Sequence, residues 1–213
     1  MRAPARPRLA LAAALATVLP LLTALLTALL TAPPAVAGAA AASPARAPGC
    51  DPIDPAACLL PFPSDHFTVP DRTTDTGRRV AFPIEAMPVS AAGAPIDPTE
   101  WNRNDGFSPG SMILARVPGL DLARTGAAPI TDIGASLRRD APIVLLDLNT
   151  GERWPYWAEL DANAPEDRQA LIVRPARNLR EGHGDAAALR DLRDAEGAVI
   201  PPGEAFAAIA GPP

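Results

Sequence analysis

From Ser111 onward the apolar residues fall into short runs separated by turns that contain Gly or Pro. Met112–Val117 is one such run, closed by Pro118-Gly119. Pro142–Leu148 is a second, ended by Asn149-Thr150-Gly151-Glu152. The chain then returns through Arg153–Leu160. Two apolar runs joined by a polar, Gly-containing turn predict a β-hairpin. In the returning run Trp154, Tyr156, Ala158 and Leu160 share one face, because side chains alternate with a period of two along a strand. Ala170–Pro175 predicts a further strand, and Asp185–Arg190 and Ala198–Ile200 complete the set, with Asp194–Gly197 as the turn between them. The apolar residues Ile143–Leu146 are too few for a buried helix and fit a strand at the centre of a sheet. Gly203–Ala210 predicts one or two helical turns. No internal repeat or coiled-coil pattern interrupts this texture.

Before Ser111 the pattern differs. Prolines recur at Pro61, Pro63, Pro70, Pro83, Pro88, Pro95, Pro98 and Pro109. Each removes a backbone donor, so long helices and central strands are not expected there. Arg79–Pro83 predicts one short edge strand. The rest reads as ordered loop, with Phe62, Phe67, Ile84, Met87 and Trp101 expected to hold it against the core. Several short strands at regular spacing with Gly and Pro turns predict an all-β fold, an immunoglobulin-like β-sandwich over residues 111–213. A long Pro-rich, loop-dominated segment, residues 50–110, is expected to pack on it.

The N-terminus changes the picture from fold to destination. Arg2, Arg6 and Arg8 precede an uncharged, Leu- and Ala-rich stretch from Leu9 to Leu30. Ala35-Val36-Ala37 then offers a small-x-small cleavage site. Residues 1–37 therefore read as a signal peptide cut after Ala37, and residues 38–49 as a flexible Ala/Pro leader. The competing reading is an uncleaved membrane anchor, since the stretch is about the roughly 20 residues that span a bilayer. Pro20 and the many Ala and Thr residues weaken it. Lipid attachment at Cys50 is disfavoured, because Ala47-Pro48-Gly49 precedes it far from the apolar stretch. The expected location is secreted or extracellular.

All 19 basic residues of the 213-residue chain are Arg. Cleavage removes three of them and no acid, leaving residues 38–213 with 16 Arg against 24 Asp and Glu, a net acidic balance. That balance argues against nucleic acid as a partner. Cys50 and Cys58 are the two cysteines. In an exported chain they are expected to form a disulfide. A metal pair is the alternative, a poor one without further ligands. No cofactor is predicted.

Gly106-Phe107-Ser108-Pro109-Gly110 matches the G-x-S-x-G nucleophile elbow of serine hydrolases. That mechanism needs a strand before the serine, a helix after it, and a backbone N–H on the next residue for the oxyanion. Asn102–Asp105 before Ser108 reads as a turn, a strand follows, and Pro109 has no N–H. His183 with Asp147 and Ser108 follows hydrolase chain order but inherits the Pro109 fault. In Ser64-Asp65-His66 three triad residue types stand adjacent, where they cannot line up as base and nucleophile. Asp97, Glu100 and Asn102–Gly106 have the composition of a calcium loop without its spacing.

Read together, Cys58–Asp65, Trp101–Ser108, Pro142–Asp147 with Gly151-Glu152, Arg174-Pro175-Ala176 and Leu189–Gly197 resemble the N-terminal region of large bacterial exported lipase- or esterase-like proteins. That region is similar to the N-terminal domain of virulence-factor lipases, and its last hairpin is similar to bacterial Ig-like modules. The resemblance covers most of residues 50–205. It implies a non-catalytic front part, with the Ser, Asp and His of an α/β-hydrolase domain following in such proteins, and so a hydrolase domain as partner; a cell-envelope component is the partner expected if the chain is an adhesion or scaffold domain. It also implies that this chain is the front of such a protein or a truncated copy of one. The alternatives are a small secreted esterase using Ser108 and a cell-surface adhesion or scaffold domain. The chain departs from the family at Gly184–Ala188, where an aromatic and β-branched strand is usual and a poor strand former stands instead.

Overall fold

The computed structural model describes residues 49–54 and 56–210. The segment Leu9–Leu30 and the Ala37 cleavage site lie outside them. Among the described residues, eight strands form three antiparallel sheets with few helices. Strands β1 (Thr68–Pro70) and β2 (Arg78–Val80) make a two-stranded ribbon. Strands β3 (Ile113–Arg116), β6 (Tyr156–Leu160) and β7 (Ala170–Pro175) form one three-stranded sheet in the order β3-β7-β6. Strands β4 (Ile143–Asp147), β5 (Arg153–Trp154) and β8 (Asp185–Leu189) form the other, in the order β5-β4-β8. Helices α1 (Leu122–Thr125) and α2 (Glu204–Ala210) are short. None of the described helices is long and apolar enough to cross a membrane.

The hairpin expected from the sequence is present, with Leu145 opposite Trp154. Its returning run is not one strand, however. Pro155 has no donor for a ladder and divides it. Trp154 stays beside β4, while Tyr156–Leu160 leaves to pair with β7. Trp154, Tyr156 and Ala158 remain buried on one face, as the period-two pattern requires, although they serve two sheets. The strand expected at Ala198–Ile200 is reduced to a single bridge, Arg193 with Val199. Asp185–Ala188 does enter a strand in spite of its composition, because β4 supplies a ready ladder for it.

Buried residues from both three-stranded sheets belong to one hydrophobic cluster. It contains Ile143 and Leu145 of β4, Trp154 of β5, Tyr156 of β6, and Leu171 and Val173 of β7. A direct tie crosses between the sheets: the buried Tyr156 hydroxyl donates to the Ile143 carbonyl at 2.7 Å. Burial pushes this phenol up to about 12. A run of 3-10 turns over Ile130–Leu137 covers the outer side of β6. There Ser136 Oγ accepts the Tyr156 N–H at 3.2 Å and the Ala128 carbonyl accepts the Ala158 N–H at 2.8 Å.

In the N-terminal segment Phe62, Phe67, Phe82 and Phe107 form their own aromatic group, with centroids 5.6 Å apart for Phe62 and Phe107 and 5.4 Å for Phe67 and Phe82. Phe62 is also bonded to Leu114 of β3 in both directions. Trp101 and Ile84, expected against the core, are 50% and 46% exposed. Each opens a 3-10 turn whose inward position belongs to another residue. Ala86 is the buried one in the first turn, and Asn102 in the second brackets the Phe82 backbone with its side-chain amide.

Cys50 and Cys58 form a disulfide, with Cα atoms 4.4 Å apart. The Asp51 N–H donates to the Cys58 carbonyl inside the same loop. In the chain-entropy picture a loop of this size stabilises the fold by about 2–3 kcal/mol. Chemical denaturation of a Cys50→Ser, Cys58→Ser double variant is expected to show a loss of that size, with the folded spectrum retained.

Candidate functional site

The strongest concentration of charge chemistry gathers on Asp147, at the end of β4. The inward phase of β4 places Ile143, Leu145 and Asp147 on the buried face, so the carboxylate is only 1% exposed. Its partners come from two places. The turn that follows it donates the N–H groups of Asn149 and Thr150 to Oδ1, at 2.9 and 3.0 Å. The loop between β7 and β8 donates to Oδ2, through Arg180 Nη1 at 2.8 Å and His183 Nδ1 at 2.9 Å. A carboxylate only accepts, so the His183 proton on that side sits on Nδ1. Burial alone would raise the Asp147 carboxyl. The hydrogen bonds from His183, Arg180, Thr150 and Asn149 outweigh it and hold the group well below the usual carboxylate range.

A second acid extends the network. Glu152 takes Arg177 Nη2 at 2.6 Å on one oxygen and Arg180 Nη2 at 2.7 Å on the other. Arg180 and Arg177 hold its carboxyl below the ordinary range. The two acids in turn push the Arg180 guanidinium up. Arg177 lies over the Trp154 ring, 3.8 Å from its centroid, and its carbonyl accepts the indole N–H at 3.0 Å. Asp185, opposite Asp147 in the β4–β8 register, has its carboxyl raised by burial and by the neighbouring Asp147 charge, with His183 opposing.

The structure thus joins two of the three residues that chain order suggested as a triad. In a serine hydrolase a buried Asp orients the His base through this same Nδ1 bond and stabilises the imidazolium. Here Arg180 occupies the same Asp147 oxygen, so the carboxylate charge is already matched. Ser108 lies outside this network of bonds. Its Oγ accepts the Gly110 N–H at 3.4 Å within its own turn. Its carbonyl accepts the Ser111 N–H at 2.9 Å. The following Pro109 carbonyl is bonded by the Leu179 N–H at 2.9 Å, which brings this loop to the chain shortly before His183. No hydrogen bond joins Ser108 to His183 among the described residues. The chain after Ser108 enters β3, not a helix.

The remaining candidates are absorbed locally. Ser64 Oγ donates to Asp51 at 2.8 Å and accepts the His66 N–H at 3.2 Å, and His66 stands edge-on to Phe67. Asp97 accepts both the N–H and the hydroxyl of Thr99, and Glu100 pairs with Arg103 at 3.2 Å. Among the described residues no group of three or more His, Cys, Asp or Glu is arranged to hold a metal ion. Arg177, Arg180 and Glu152 were not legible as a unit, because about 30 residues separate the turn from the loop that meets it. Asp147 alone carried a local signal, an Asp followed by Asn-Thr-Gly, which favours a turn closed by the Asp side chain. No known protein family, curated protein or solved structure matches this chain.

Proposed function

We propose that the chain is an exported, non-catalytic, immunoglobulin-like β-sandwich module, the front part of a secreted lipase- or esterase-like protein. The saturation of Asp147 carries this reading. Both of its oxygens are occupied by four donors, which suits a pin between the β4 turn and the β7–β8 loop better than a working acid–base pair. The two sheets that share one apolar cluster, tied by Tyr156, support the sandwich. The resemblance of the segments from Cys58 to Gly197 supports the hydrolase context.

One observation favours a second reading, a small esterase using Ser108: the His183–Asp147 bond at 2.9 Å. Hydrolysis of short and long p-nitrophenyl esters by the purified protein separates the two. The module reading expects a rate equal to the buffer blank and unchanged in Ser108→Ala. Turnover that is lost in both Ser108→Ala and His183→Ala establishes the esterase instead. Export is tested on the same protein by sequencing the N-terminus of the form released into the medium. Gly38 is the expected first residue, and retention in the membrane fraction with residues 1–37 intact contradicts it.

A further inference from the structure

We infer that the outer edge of β8 is a self-association site, at which two copies of this chain pair antiparallel through Asp185–Leu189 and close into a dimer. Two bonds fix which groups of β8 are already used. The Leu148 N–H donates to the Gly184 carbonyl at 2.8 Å, and the Arg190 N–H donates to the Pro142 carbonyl at 2.9 Å. Hydrogen-bonded pairs alternate along an antiparallel ladder. Ala186 and Ala188 therefore spend their backbone groups on β4, flanked by the Gly184 carbonyl and the Arg190 N–H, which do the same. The N–H and C=O groups of Asp185, Ala187 and Leu189 point away from it, and no backbone partner meets them among the described residues.

The other sheet edges are treated differently. The outer side of β3 is bonded by Phe62, that of β6 by Ser136 and Ala128, and β5 is only two residues long. Bare edges are normally blunted by a proline, a bulge or a charged side chain. β8 carries a charge only at its first residue, Asp185; Ala186–Leu189 has no proline, bulge or charge, and Ala187, Ala188 and Leu189 are exposed. The alanines also leave no bulk to hold an approaching strand away.

A second copy fits this edge in one register. Ala187 set opposite the partner subunit's Ala187 places Asp185 opposite the partner's Leu189, and Leu189 opposite the partner's Asp185. Every outward group on both strands is then paired; a shift by two residues leaves one outward residue at each end unpaired. Each copy has one such edge, so the contact closes as a two-fold dimer and does not propagate. The result is a continuous sheet in the order β5-β4-β8-β8-β4-β5.

Sedimentation velocity on the purified full chain between about 1 and 200 µM tests this, since strand addition through a few residues has affinities in the micromolar range and weaker. The weight-average mass is expected to rise from monomer to dimer. Ala187→Pro removes one outward donor and no β4 bond, and Ala187→Lys adds a charge to the edge; each is expected to weaken the dimer at least about tenfold. Amide exchange on the unmodified chain gives an independent reading, with Asp185, Ala187 and Leu189 gaining protection as concentration rises. A monomer throughout whose edge amides exchange freely overturns the inference. So does a dimer that Ala187→Lys leaves intact, or assembly beyond the dimer.

Discussion

Asp147→Asn is expected to lower the thermal midpoint by roughly 10 °C, although it removes only a charge and keeps the shape. Oδ1 can still accept the Asn149 and Thr150 N–H groups and hold the turn. The amide nitrogen then stands where Oδ2 was, and it faces two donors, Arg180 Nη1 and His183 Nδ1. A donor set against two donors leaves the buried amide without an acceptor and costs His183 and Arg180 their charged partner, although Arg180 Nη1 keeps the Thr150 hydroxyl at 3.3 Å; the mismatch costs more than the absence of the bonds themselves. His183→Ala is the milder change, since Arg180 keeps its carboxylate. The same network predicts a pH dependence. The folded Asp147 carboxyl titrates below the unfolded one, so its contribution is complete above about pH 4 and fades as the pH falls through the folded value. Acid unfolding followed by circular dichroism is expected to show a steep limb below about pH 4 in the unmodified protein and a flatter one in Asp147→Asn.

Leu145→Ala carries the second large effect, a loss of about 3 kcal/mol in denaturant unfolding. Leu145 is 1% exposed and lies in the middle of β4, between Trp154 on one neighbouring strand and Ala187 on the other. Trp154, Tyr156, Ile143 and Leu171 belong to the same packed cluster and limit collapse around the missing methyl groups, so the transfer cost and the cavity cost add. Leu146→Ala, one position away, faces outward and is half-buried; it is expected to lose clearly less.

How far the sequence anticipates these features depends on the range of the interactions that set them. The strands β3, β4 and β7 were legible to within a residue or two, because β-branched and aliphatic runs bounded by Gly and Pro are local signals. The split of Arg153–Leu160 into two sheets was not, although Pro155 marks the place. A period-two face reads the same whether one sheet or two receive it. β8 was expected over Asp185–Arg190 and forms over Asp185–Leu189. Its alanines have poor strand propensity, but an unfilled ladder on β4 overrides propensity. The turns between Leu120 and Ala141 left no periodic pattern to read, and their partner Ser136 reveals itself only by its bond to Tyr156. At the site, Asp147 and His183 were named from chain order. Arg180, which changes the meaning of that pair, was not, because nothing local connects residue 180 to a turn at 147–152.

The central claim is that residues of both three-stranded sheets form one cooperative core. Native-state amide exchange tests it directly. Leu145 of β4 and Leu171 and Val173 of β7 are predicted to open with the same free energy, that of global unfolding, and to fall together by the same amount in Leu145→Ala. Protection of β7 that stays unchanged in that variant, while β4 opens, contradicts the account.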